Sequence, residues 1–83
     1  MTGDIIFYSF REVDFSKYKL PIVSVTENPT DYPGYYAARI FDINTPTNKV
    51  MLKRTLKEIR LNVPDWFTKS PIQEQPPVIE AYI

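Results

Sequence analysis

The chain contains no cysteine and no histidine. Without thiols there is no disulfide framework and no thiolate metal site, so the supports typical of small secreted domains are missing and a cytoplasmic setting fits better. Without imidazole, the side chain most used for proton transfer near neutrality is gone, and most nucleophile triads go with it. Glycine is nearly as scarce. Gly3 and Gly34 are the only two, neither flanks a serine as a nucleophile elbow requires, and no phosphate-cradling glycine loop can be assembled from them. Oxygen ligation of a metal through Asp42 with Glu58 or Asp65 is conceivable, but no spaced acidic motif supports it. The expectation is a protein that is not an enzyme, with no catalytic residue, metal or cofactor. Long apolar runs are absent too: Met1-Thr2-Gly3-Asp4 has no basic character and Ile5 to Tyr8 is far shorter than a membrane span, so neither a targeting segment nor membrane contact is expected.

What is present suits one small folded domain. The 83 residues are 43% hydrophobic and 14% aromatic, which argues against disorder, while eight prolines imply short elements and many fixed turns. The firmest pattern lies between Pro33 and Pro64. Tyr32-Pro33-Gly34-Tyr35 has proline and glycine where a type II turn needs them. Tyr35 to Ile43 then reads as a strand rich in aromatic and β-branched residues, Asn44 to Asn48 as a loop, and Lys49 to Lys53 as a second strand, making a hairpin. A four-residue loop would set Ile43 against Val50 and Phe41 against Leu52, and is favoured over a five-residue loop that would leave Asp42 beside Val50. Thr55-Leu56-Lys57-Glu58 fits a capping box, Leu56, Ile59 and Val63 form an apolar stripe, and Pro64 ends the short helix.

Outside this unit, Asp4 to Phe10 and Ile22 to Val25 read as extended, Arg11 to Leu20 as a loop pinned by Phe15 and Tyr18, and Ser70 to Pro77 as a connection. Val78 to Ile83 reads as a final strand that must dock into the sheet to stay ordered. The fold class expected is α+β, a small antiparallel sheet of three to five strands with one principal helix on one face. Arg39 and Asp42 point to opposite faces of their strand, and Arg39 is expected to pair with Glu80 or another carboxylate.

Ten basic residues balance ten acidic ones, yet positions 49 to 60 hold Lys49, Lys53, Arg54, Lys57 and Arg60 against Glu58 alone. Arg54, Lys57 and Arg60 recur along one helix flank, with Lys53 leading into it. Such a strip serves as a solvated face, as a contact for phosphate, or as a contact for an acidic protein surface. Trp66 is read either as part of a lid over the helix or, if exposed, as an anchor for a partner. Lys53, Arg54, Lys57, Arg60 and Trp66 are therefore the candidate binding residues. The expected role is a non-enzymatic interaction module with a protein partner or a second copy of itself, nucleic acid being the alternative.

Gly34-Tyr35-Tyr36-Ala37-Ala38-Arg39, followed after the hairpin by Thr55-Leu56-Lys57-Glu58-Ile59, resembles the amino-terminal half of HicB-type antitoxins, in which a G-Y-Y strand and a T-L-E-E-A helix flank a strand pair. That resemblance implies an antitoxin-like partner of a small nuclease. The chain also looks like small uncharacterised bacterial or phage proteins carrying a Y-x-A-R-x-F-D strand, here Tyr36 to Asp42, a T-L-x-E-I-R helix, here Thr55 to Arg60, and a closing P-V-I-E-x-Y-I strand, here Pro77 to Ile83. That group implies no activity.

Overall fold

The computed structural model describes residues 3–83; Met1 and Thr2, part of the stretch read for targeting character, lie outside them. Strand β1 (Ile5–Phe7) is followed by two 3-10 turns, Phe10–Glu12 and Phe15–Lys17, then β2 (Pro21–Glu27), β3 (Tyr36–Asp42), β4 (Thr45–Lys53), helix α1 (Leu56–Asn62) and β5 (Val78–Tyr82). The five strands form one sheet in the order β1-β4-β3-β2-β5, with α1 packed on one face, the α+β architecture expected. Every pairing is antiparallel except β1 with β4, which is parallel. These two strands are far apart in the chain, and local pattern carries no signal for such a pairing.

Register explains what is buried. Phe7, Met51, Ala38, Val25 and Glu80 are paired in turn across all five strands and therefore share the face that carries α1. The next row sets Ile40 against Val23 and Val23 against Tyr82. Ile59 of α1 and Phe67 close over these residues to make the core, with Leu56 and Val63 packed at its margin, so the predicted helical stripe does face the sheet. Thr55 caps the helix, its Oγ1 accepting from the Glu58 amide at 3.2 Å, but the box is incomplete: the Glu58 carboxylate accepts from the Thr55 hydroxyl at 3.0 Å. A complete capping box lies earlier. Ser9 and Glu12 make it at the first 3-10 turn, inside a stretch read from sequence as extended chain and loop.

Phe15 is the hub of an aromatic cluster that ties this segment down. It stacks at 6.1 Å on Phe10 and meets Phe67 edge-on at 5.5 Å and Trp66 at 5.0 Å, while Tyr18 contacts it at 6.3 Å. At the far edge of the sheet, Thr68 and Ile83 exchange backbone bonds and Ser70 donates to Ala81, so the chain after Phe67 runs along the outer side of β5. The Tyr32 to Tyr35 turn forms with Gly34 at φ 84° and a 3.3 Å bond from the Tyr35 amide to the Tyr32 carbonyl, as its sequence requires.

The hairpin differs from both expected registers. Asp42 pairs with Thr45 and Phe41 with Pro46, leaving Ile43 and Asn44 as a two-residue turn, and β4 begins at Thr45 rather than Lys49. A bulge then shifts the ladder so that Arg39 faces Val50 and Ala37 faces Leu52. The proline-containing loop read from Asn44 to Asn48 is thus mostly strand, with Pro46 next to the turn, where a missing amide does least harm. The tight turn puts Ile43 at φ 60°, a region costly for a β-branched residue. Ile43→Asn should therefore raise the melting temperature by a few degrees, corresponding to about 0.5–1 kcal/mol of relieved strain. An unchanged or lowered midpoint in a calorimetric scan would show that Ile43 makes a compensating contact.

Candidate interaction surface

Two arginine–carboxylate assemblies, one on each sheet face, decide which polar groups remain free. Arg39 lies on the face away from α1, in a row with Val50, Ser24 and Ala81, and cannot reach Glu80 on the opposite face. Its partner is Asp4, with a two-pronged contact at 3.0 and 2.9 Å, and Tyr32 adds a 2.6 Å hydroxyl bond to the same carboxylate. Hydrogen bonds from Arg39 and then Tyr32 hold the Asp4 carboxyl down at about 2.

On the helix face Glu80 sits in the core with its side chain only 3% exposed. Arg60 donates to it through Nη2 at 2.8 Å and Nε at 3.3 Å, Tyr82 donates its hydroxyl, and Lys69 stands 3.8 Å away. Burial pushes the Glu80 carboxyl up, but the bonds from Arg60 and Tyr82, with the charges of Arg60 and Lys69, outweigh it and leave it below its ordinary value. Burial and the carboxylate raise the Tyr82 phenol to about 12.

The candidate binding residues therefore separate. Arg60 is half exposed but committed to Glu80, an intramolecular duty that sequence spacing did not reveal. Arg54, after β4, lies over the Tyr35 ring at 4.1 Å from its centroid and donates to the Tyr35 hydroxyl at 3.2 Å. Lys53 ends β4 and Lys57 lies exposed in the first turn of α1; among the described residues Lys49, Lys53, Arg54 and Lys57 have no carboxylate within salt-bridge distance. Trp66 is not with them. It lies beyond the other end of α1, a helix of seven residues and so about 10 Å long. Of the residues read as a lid, Phe67 is buried, whereas Trp66 is 60% exposed and stacks on Phe67 at 4.2 Å.

Trp66 borders a groove of about 520 Å³ with Leu61, Phe10, Phe15, Val63 and Pro64, and with Arg11 and Asp65. Leu61, 75% exposed, was not singled out from sequence, because it falls off the apolar stripe and has no local signal beyond being a leucine on a polar flank. The carboxylates considered as oxygen ligands are each otherwise placed: Asp42 accepts from the Lys19 and Leu20 amides, Glu58 is at the helix cap, and Asp65 is in the groove. Among the described residues no group of three or more acidic side chains converges, and no helix is long and apolar enough to cross a membrane. Comparison with known proteins gave no match to any family model, curated protein or solved structure.

The pKa shifts set the pH dependence. A carboxyl lower in the folded than in the unfolded state contributes stability above the unfolded value that is lost as pH falls through the folded one, which for Asp4 means between about 4 and about 2. Tyr82 works in reverse, its contribution being lost as pH rises from about 10 towards about 12. Denaturant midpoints should fall in both windows; Asp4→Asn should flatten the acid limb and Tyr82→Phe the alkaline one. Glu80→Gln should cost about 2 kcal/mol at neutral pH, less than a fully buried pair because Arg60 is half in water. A melting temperature unchanged by Glu80→Gln would remove the assigned role of this assembly.

Proposed function

We propose that the protein is a non-enzymatic interaction module whose contact surface is the groove at the carboxy-terminal end of α1. The observation that carries this reading is the pair Leu61 and Trp66: two large apolar side chains, well exposed and bordering one concavity, with Trp66 backed by the rings of Phe15 and Phe67. An aromatic side chain held in place by its neighbours loses little further entropy on binding, and tryptophan in such positions dominates interface energetics. The antitoxin-like resemblance would make a small nuclease one partner of this kind.

Replacing Leu61 and Trp66 together by serine should leave the fold intact, since neither side chain is buried, and should remove proteins, including further copies of the chain, that the wild type retains in quantitative affinity capture. Identical captured sets at equal folded protein would sink the proposal.

A second reading is favoured by a separate observation, the cations Lys53, Arg54 and Lys57, which have no carboxylate within salt-bridge distance among the described residues and of which Arg54 lies over the Tyr35 ring. Nucleic acid bound there would show a log affinity against log salt slope of about −2 for three phosphate contacts to a single strand. Charge reversal at Lys53 and Lys57 is the suitable test, because reversing Arg60 would place a second carboxylate against Glu80 and confound binding with unfolding. Fluorescence anisotropy of a labelled single strand, insensitive to salt or unaffected by these substitutions, would exclude it.

A further inference from the structure

We infer that the occupant of the Leu61–Trp66 groove is a second copy of the same chain, related to the first by a two-fold axis. The inference rests on the interaction reading above and specifies its partner. A two-fold interface uses one patch twice, so the patch must contain both the projecting and the receiving features and must cancel its own charge. This patch does both. Leu61 and Trp66 project at the rim of a hollow lined by Phe10, Phe15, Val63 and Pro64.

The charges are equally specific. Among the described residues Arg11 and Asp65 are the only charged side chains lining the groove, they have opposite signs, both are exposed, and neither forms an ion pair. A partner carrying charge of one sign would pair with one of them and repel the other. A two-fold copy supplies an Asp65 for each Arg11 and an Arg11 for each Asp65, so every groove charge has an opposite charge available to it. The cationic strip, by contrast, starts at the opposite end of α1 and does not enter the groove lining, so self-association there does not bring like charges together. A standard interface of about 800 Å² per copy would occupy about one-seventh of the 5548 Å² surface.

Trp66 is the single tryptophan, so its emission reports this surface directly. The test uses the whole chain in sedimentation equilibrium and in dilution fluorescence, with circular dichroism to verify that each variant is folded. The wild type should sediment as a dimer at high micromolar concentration, and its emission should shift to the red on dilution as the indole meets water. Arg11→Glu and Asp65→Arg should each weaken self-association by about tenfold or more, because each sets like charges facing across both halves of the interface.

Mixing these two folded variants in equal amounts should restore a dimer of near wild-type affinity, since the carboxylate brought in by Arg11→Glu then meets the guanidinium brought in by Asp65→Arg, and the remaining Asp65 meets the remaining Arg11. A wild type that stays monomeric, or a mixture no better associated than its components, overturns the inference. A monomeric wild type from which the serine substitutions still remove captured proteins leaves the interaction reading standing with a different partner. Capture unaffected by those substitutions removes the interaction reading itself.

Discussion

A carboxylate in the core of a small domain must be satisfied, and much of the molecule is arranged around Glu80. Its position is forced by register: with Val25 and Ala38 as its neighbours across the sheet, an odd-versus-even shift of β5 would be needed to turn it outward, and that shift would also turn Tyr82 out of the core. The group that satisfies it comes from the helix. Ile59 points straight into the core and Arg60, about 100° further round the helix, reaches Glu80; Leu61, another 100° on, is thereby turned almost directly away from the sheet. The rotation of α1 that buries Ile59 and lets Arg60 reach Glu80 thus also presents Leu61 to solvent. A buried ion pair adds little stability over an apolar pair of the same shape, whereas removing one partner leaves the other charge uncompensated.

The second face follows the same logic with different parts. Arg39, in a strand whose other charged residue is Asp42 at its end, is held by Asp4 and stands beside the Asn28-to-Tyr35 connection through Tyr32 and Asp31. Arg39 also donates to the Thr47 carbonyl at 2.9 Å, close to the bulge in the β3–β4 ladder. Three separated segments converge on one guanidinium. In a chain with no disulfide to restrain its loops, such convergence ties long-range elements together where local propensity cannot.

Legibility in the sequence tracks how local each determinant is. The Pro33-Gly34 turn, the Thr55 cap, the Leu56, Ile59 and Val63 stripe and the closing strand all depend on residues within a few positions of one another, and all are found where they were read. The hairpin register failed because its turn places isoleucine at positive φ and its ladder contains a bulge, two departures from the propensities on which a register is guessed. The parallel β1–β4 pairing and the choice of Asp4 over Glu80 for Arg39 depend on which strands become neighbours, and nothing within a strand records that. At the candidate surface, the identity of the exposed member of Trp66-Phe67 was not readable, because the ring that selects between them is Phe15, some fifty positions earlier in the chain. The basic strip was visible as composition, but its division into a committed Arg60 and uncompensated lysines required the position of Glu80.

The sheet edges bear on how such a molecule can associate. An open edge strand is the simplest route to pairing with another chain, and both edges here are restricted. The outer side of β5 is already bonded to Thr68 and Ser70, and β1 offers only three residues before the Glu12 carboxylate captures the amides of Tyr8 and Ser9 and the chain turns into the first 3-10 element. Strand addition is therefore poorly supported at either side. Association that did not disturb the sheet would have to use side chains on a face, and the helix end, where burial of Ile59 leaves Leu61 facing outward and the aromatic cluster supports Trp66, combines exposed apolar area with a fixed backing.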